Sequence, residues 1–149
     1  MICGGSGIAV GYPLVCGLLA RRAESKIEED VEEDAAKGTL PEARICLIWV
    51  VHEEAHKSWL SEECIEELSL QGVTVLIPQP TAVSGRPDVS QIMENWVARR
   101  LADDDEDGRE RVGVVGSGPE GMMRAVRNRC AAMKARGMDI EVGIEKYGW

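Results

Sequence analysis

Phenylalanine is absent from the 149 residues, and aromatic residues make up only 4%. A core must therefore be filled by Leu, Ile, Val, Met and Ala, which an apolar content of 44% allows. Histidine is scarce: only His52 and His56 occur. They are spaced i, i+4, but without a third ligand they read as a solvated helix start, so no multi-histidine metal or haem site is expected. The five cysteines (Cys3, Cys16, Cys46, Cys64 and Cys130) include no CxxC. An odd number without that spacing points to free thiols in a reducing compartment. No apolar run reaches the ~18 residues of a membrane span. No basic region precedes the first apolar stretch, against a signal peptide. Basic residues form no stripe suited to nucleic acid.

Acid is plentiful and unevenly placed. The formal charge is −9. Seven acids fall in Glu24–Asp34 with Lys26 the only base, and six in Asp103–Glu110 with Arg109 the only base. The remainder is close to neutral, so the acidity is expected in two exposed segments, 24–42 and 103–110. The first, Glu24–Glu42, reads as a mobile insertion with little fixed structure. The length fits one domain, 1–149, with one core.

Strand-like and helix-like segments alternate along the chain. Met1-Ile2-Cys3 runs straight into Gly4-Gly5-Ser6-Gly7, which reads as the end of a strand entering a tight turn. A whole strand needs about five or six residues, so the first strand is expected to be cut short, with sequence missing upstream. Tyr12–Ala23 reads as a helix with Leu14, Leu18 and Leu19 on its apolar face. Arg44–Val51 is nearly continuously apolar, as in a central parallel strand. Ser58–Leu70 follows as a helix with Leu60, Cys64 and Leu68 on one stripe, ended by Gly72. Val73–Ile77 is a third strand. After the Gly85-Arg86-Pro87-Asp88 loop, Ser90 is expected to cap a helix carrying Ile92, Trp96 and Val97 inward. Val112–Val115 is a fourth strand with the turn Gly116-Ser117-Gly118-Pro119. Glu120–Arg136 is a long helix with Met122, Val126 and Met133 on one face, and Ile140–Ile144 a last strand. The pattern predicts an α/β, three-layer, Rossmann-like sandwich whose five-stranded parallel sheet has the order 3-2-1-4-5.

A strand, a glycine turn and a helix together suit phosphate, because glycines admit close backbone approach and the helix start presents free N–H groups. Gly4, Gly5 and Gly7 meet that description, although many α/β turns hold glycines for steric reasons alone. If strands one and four are neighbours, the second turn, Ser117-Gly118-Pro119, meets the first at the crevice where the strand order reverses. One turn would then carry pyrophosphate and the other a flat ring. Trp49 and Trp96 read as core residues, Trp59 as packed on a neighbour, and Cys3, Cys46 and Cys130 as inert buried thiols. The group Arg124, Arg127 and Arg129 reads as a solvated face.

In this order, GGSGIAVGYPL (Gly4–Leu14), LIWVV (Leu47–Val51), GRPD (Gly85–Asp88) and VVGSGPEGM (Val114–Met122) resemble the nucleotide-binding domain of fungal ferric or cupric reductases. Those belong with the NADPH oxidases in the ferredoxin–NADP reductase-like superfamily. The resemblance implies that Gly4, Gly5, Ser6, Gly7 and Ile8 hold the pyrophosphate of NADPH. It implies that Ser117, Gly118 and Pro119 form the turn beside the nicotinamide, with Met122 following, and that Arg86 lies near the nucleotide. Trp149 matches a terminal aromatic that covers the flavin and moves to admit nicotinamide. Ser117 and Trp149 are thus the positions closest to the hydride transfer. The family passes hydride from NADPH to FAD, and electrons then travel through membrane haems to Fe(III) or Cu(II).

This chain departs from the pattern in three ways. Ser117 stands where many relatives have Cys. His52 replaces a frequent Arg after the second strand, and Glu53 and Glu54 follow it; acids there favour a ribose hydroxyl over a 2′-phosphate, which admits NADH. No flavin motif, paired haem histidines or membrane helices are present, so the FAD-binding barrel and the haem-containing membrane domain are expected as separate partners. The resemblance places the chain on the cytosolic side of a membrane in the full-length protein. By itself it is expected to be soluble and cytoplasmic. The alternatives are a non-catalytic nucleotide-binding module or incomplete gene product, and a flavodoxin-like domain binding FMN.

Overall fold

Side chains of the second strand alternate between two cores and thereby set the layers. The computed structural model describes residues 1–31, 44–103 and 111–146, without the side chains of 25–31, 101–103 and 145–146. The strands are β1 (Ile2–Gly4), β2 (Cys46–Val50), β3 (Thr74–Leu76), β4 (Arg111–Gly118) and β5 (Asp139–Lys146). The helices are α1 (Ile8–Val31), α2 (Glu62–Leu70), α3 (Thr81–Ser84), α4 (Val89–Asp103) and α5 (Glu120–Ala135). Every residue of β2 is buried. Cys46, Ile48 and Val50 face one core, and Leu47 and Trp49 face the other. A strand covered on both faces needs helices on both faces.

The sheet is wholly parallel with the order β3-β2-β1-β4-β5, as the alternation of segments predicts. One core joins Ile2, Ile48 and Val114 to Met93 and Val97 of α4 and to Met123, Val126 and Met133 of α5. The other joins Cys3, Leu47 and Trp49 to Ile8 and Val15 of α1 and Leu68 of α2. These are the three layers of an α/β, Rossmann-like sandwich. Strand order reverses between β1 and β4.

Four local expectations are corrected. The first helix begins at Ile8, not Tyr12, and continues to Val31, so the start of the 24–42 segment is helical. Good helix formers such as Ala, Arg, Glu and Lys carry it on; residues 32–43 lie outside the described residues, as do 104–110 of the second acidic run. The inner stripe of α1 is Ile8, Tyr12, Val15, Cys16 and Leu19, whereas Leu14 and Leu18 are 46% and 50% exposed. Gly11 fixes that phase, because a Cβ there would overlap Cys3 Sγ. The helix expected from Ser58 starts at Glu62, since Ser61 caps it by accepting the Cys64 amide at 3.3 Å; Glu54–Trp59 is a separate 3-10 segment. Ser90 is buried inside α4 rather than capping it, and Asp88 Oδ1 instead accepts the Gln91 amide at 2.9 Å.

Candidate functional site

Strand β1 ends at Gly4 and passes through a 3-10 turn, Gly5–Gly7, into α1. Gly5 has φ +53°, in the left-handed region that glycine enters without a Cβ penalty, and the space its Cβ would enter is open. Its carbonyl oxygen accepts a hydrogen bond of 3.0 Å from Nε1 of Trp49. Trp49 is fully buried on β2, so the neighbouring strand anchors the turn from below. Gly11, one helical turn beyond Gly7, brings α1 close against Cys3 and Met1. Such a glycine allows close helix–strand packing, one residue later than the last glycine of the G-x-G-x-x-G spacing, a place held here by Val10. The four-residue step from Gly7 to Gly11 was its signal in the sequence.

The second turn lies directly beside the first. Register pairs Ile2 with Gly116 and Cys3 with Ser117. A Cβ on Gly118 would stand 2.7 Å from Met122 Cε and 3.0 Å from the Gly4 amide nitrogen. A Cβ on Gly4 would meet Met122 Cε and Pro119 Cδ, each at 2.7 Å. One on Gly7 would overlap the Ser117 carbonyl oxygen. Gly4, Gly7 and Gly118 are therefore required by contact between the turns themselves. Gly5 is not, and Ser6 beside it is exposed.

Met122 lies over both Gly4 and Gly118 with the end of its side chain. The surface expected to be flat at Gly118 thus carries a thioether, which is flexible enough to shift. Ser117 is fully buried beneath, and its Oγ makes no hydrogen bond among the described residues.

A cleft of about 380 Å³ opens from the first turn. Ser6, Ile8, Ala9, Tyr12 and Pro13 form one wall, and Trp59 with Leu60 the other. Trp59 is 51% exposed and stacks on His56 with ring centroids 4.5 Å apart. The cleft falls within the size range of small-molecule sites and is largely apolar, with Ser6 at its polar end. Periodicity could not reveal it, because its walls come from segments more than forty residues apart.

The other expected residues are dispersed. Arg86 is exposed in the loop after α3, whose first residues are bonded to the end of β2, Thr81 N–H to the Val51 carbonyl at 3.0 Å and Ala82 N–H to that of His52 at 2.9 Å. Trp149 lies outside the described residues. His52 Nδ1 is 2.8 Å from Thr81 Oγ1. Glu53 caps the 3-10 segment reciprocally with His56, and Glu54 pairs with Lys57 at 2.7 Å. Arg129 is not a merely solvated cation, since it joins α5 to Glu94 of α4 at 2.8 Å, and Arg136 pairs with the same carboxylate. Burial pushes the Cys3 and Cys46 thiols up to about 11 and raises Cys130 as well, consistent with inert packing.

A second cleft, of about 410 Å³, is lined by Arg111, Arg127, Lys134 and the start of β5. It sits at the amino edge of the parallel sheet, opposite both glycine turns, whereas ligands of such sheets bind at the carboxyl edge. Among the described residues no cluster of three His, Cys, Asp or Glu is placed to hold a metal ion. None of their helices is long and apolar enough to cross a membrane. Comparison with family models, with curated proteins and with solved structures gives no match to this chain.

Proposed function

We propose that this chain is the NAD(P)H-binding half of a flavin-dependent ferric-chelate or cupric reductase. The observation that carries the reading is the contact of two glycine turns at the ends of β1 and β4, where the strand order reverses. The fit of a dinucleotide rests on three features of this chain. Gly5 has open space beside an exposed Ser6 at the start of a long helix, as pyrophosphate requires. The apolar cleft continues from Ser6 and has room for a planar ring. The Gly118–Met122 turn at the end of β4 adjoins the first turn.

When bound, NADPH or NADH supplies a hydride to FAD held with a separate barrel domain, and haem in a membrane domain carries the electrons onward to metal ions. The chain's own part is positioning. The Gly5–Gly7 turn holds the pyrophosphate by backbone amides at the helix start, and the Ile8 amide, bonded back to the Gly5 and Ser6 carbonyls, closes the turn. Trp49 keeps that segment in place through the Gly5 carbonyl. Gly118 and Pro119 carry the nicotinamide, with Met122 moving aside and Ser117 supporting the turn from beneath. The roles of Arg86 at the nucleotide and of Trp149, which lies outside the described residues, at the flavin rest on the resemblance alone. No side chain is asked to act as a general base.

The flavodoxin-like alternative requires the strand order 2-1-3-4-5, which this sheet does not have. Calorimetric titration with NADPH and NADH tests the reading. Saturable binding of either to the colourless chain is expected, and no binding of either at millimolar concentration would overturn it.

A further inference from the structure

Strand β5 is the last strand of the sheet and pairs with β4 alone. It has eight residues, Asp139–Lys146, whereas the opposite edge strand, β3, has three. Its register with β4 runs through consecutive pairs without a bulge. Every second residue of an edge strand turns its N–H and C=O away from the sheet. Among the described residues, those of β5 make no backbone bond outside the β4 ladder. An unbroken edge of that length is a template for one more strand.

Helix α5 packs over this edge of the sheet. From one flank, Arg129 and Arg136 reach Glu94 of α4. Arg127 and Lys134 stand on the opposite flank, about half a turn round the helix from that pair. They form the α5 wall of the cleft of about 410 Å³, and the start of β5 forms the other wall. Both cations are exposed, and neither has an ion-pair or hydrogen-bond partner among the described residues. Arg111, which also lines the cleft, is instead engaged with Asp139 at 3.9 Å and Glu141 at 3.3 Å. The uncompensated positive charge of the cleft is therefore on its α5 wall. Ile140 belongs to the core beneath α5, so Asp139 and Glu141 on either side of it turn to the other face of the sheet.

We propose that the free edge of β5 and the α5 wall together dock an extended acidic segment of a partner protein, added to the sheet as a further strand. Backbone bonds to β5 supply the binding, and alternate side chains supply the choice of partner. Side chains at alternate positions of the segment, about 6.7 Å apart, lie on the α5 face. Arg127 and Lys134, about 10.5 Å apart along the helix, meet carboxylates there. The intervening side chains meet Asp139 and Glu141 on the other face, which selects neutral or basic residues at those positions. A second copy of the chain fits less well. The strand DIEVGIEK carries three acids and one lysine, and laid against itself it opposes acids to acids. The docking does not depend on what binds at the glycine turns.

The probe is an acetylated, amidated octapeptide of alternating aspartate and valine, carrying a fluorophore and titrated with the full chain at low salt. Saturable binding is expected, weakened about tenfold or more in the double variant Arg127→Glu/Lys134→Glu. Both positions are exposed, so the variant should melt at the wild-type temperature. The same peptide with lysine for aspartate should not bind. N-methylation removes amide donors and leaves the carboxylates. Of two peptides methylated at the odd or at the even positions, one should lose binding. Equal binding to the double variant would overturn the proposal. Full binding by both methylated peptides would also overturn it and mark a site for free anions only. No binding at millimolar peptide would overturn it too, and a dimer in sedimentation would then assign the edge to a second copy.

Discussion

Nε1 of Trp49, on β2, donates a 3.0 Å hydrogen bond to the carbonyl oxygen of Gly5 in the turn after β1. A fully buried indole therefore has its one polar atom satisfied by the segment proposed to hold pyrophosphate. Trp49→Phe keeps most of the ring and removes the donor. It should cost about 1 kcal/mol of stability and weaken NAD(P)H binding by loosening the turn. Thermal melts and calorimetry on the same sample check both, and unchanged affinity would show that the turn keeps its shape without the indole.

Gly11 and Cys3 form a steric pair, since a methyl group on Gly11 would overlap the Cys3 sulfur. Gly11→Ala should destabilise the fold by about 1–3 kcal/mol through overpacking. Cys3→Ala vacates that space. The double variant should therefore be more stable than the sum of the single changes predicts, a coupling that a double-mutant cycle in denaturant measures directly. Additivity would show that α1 does not pack on β1 at this point.

Glu94 ties α4 to α5 through Arg136 and Arg129. The hydrogen bond from Arg136 does most to hold its carboxyl below the ordinary 4.5. A depressed folded value means that the ion pair contributes above the ordinary pKa and is lost as pH falls through the folded one. Glu94→Gln should therefore lower stability at neutral pH, and the difference from wild type should vanish well below pH 4.5. A difference that persists in acid would point to packing instead of charge.

Coenzyme choice is expected to turn on the segment after β2. Glu54 is 73% exposed at its side chain and neutralises Lys57. Glu54→Gln removes a negative charge and frees a cation, so NADPH should gain on NADH by about fivefold in relative affinity. Competition titrations check the ratio. An unchanged ratio would place the ribose elsewhere.

Sheet order was legible because a nearly continuous apolar strand at 44–51 and alternating helical segments admit few parallel arrangements. The two glycine turns were legible as residues, but their functions were not separable in the sequence. Only the register of β1 on β4 shows that Gly4, Gly7 and Gly118 serve their mutual contact while Gly5 does not. Trp49 was readable as core, but its bond to Gly5 depends on a strand neighbour more than forty residues away. Leu14 and Leu18 misled because apolar residues beside the true stripe look the same until Gly11 fixes the rotation of α1. Ser90 misled because Asp88, two residues earlier, offers an equally good cap.

Gly118→Val, an obvious probe of the second turn, would press on Met122 and on the Gly4 backbone, so its effect on binding would not separate ligand contact from folding. Ser6→Asp is cleaner, since Ser6 is exposed and lines the cleft. A carboxylate there should repel pyrophosphate and lower affinity by about tenfold without loss of stability. Equal affinity in this variant would count against the first turn.

The most direct measurement is an amide chemical-shift titration of the isotopically labelled chain with NADPH. The account predicts saturable shifts concentrated at Gly5–Ile8 and Gly118–Met122 together, because one dinucleotide spans both turns. Shifts confined to the opposite edge, around Arg127 and Lys134, or no shifts at millimolar NADPH, would contradict it.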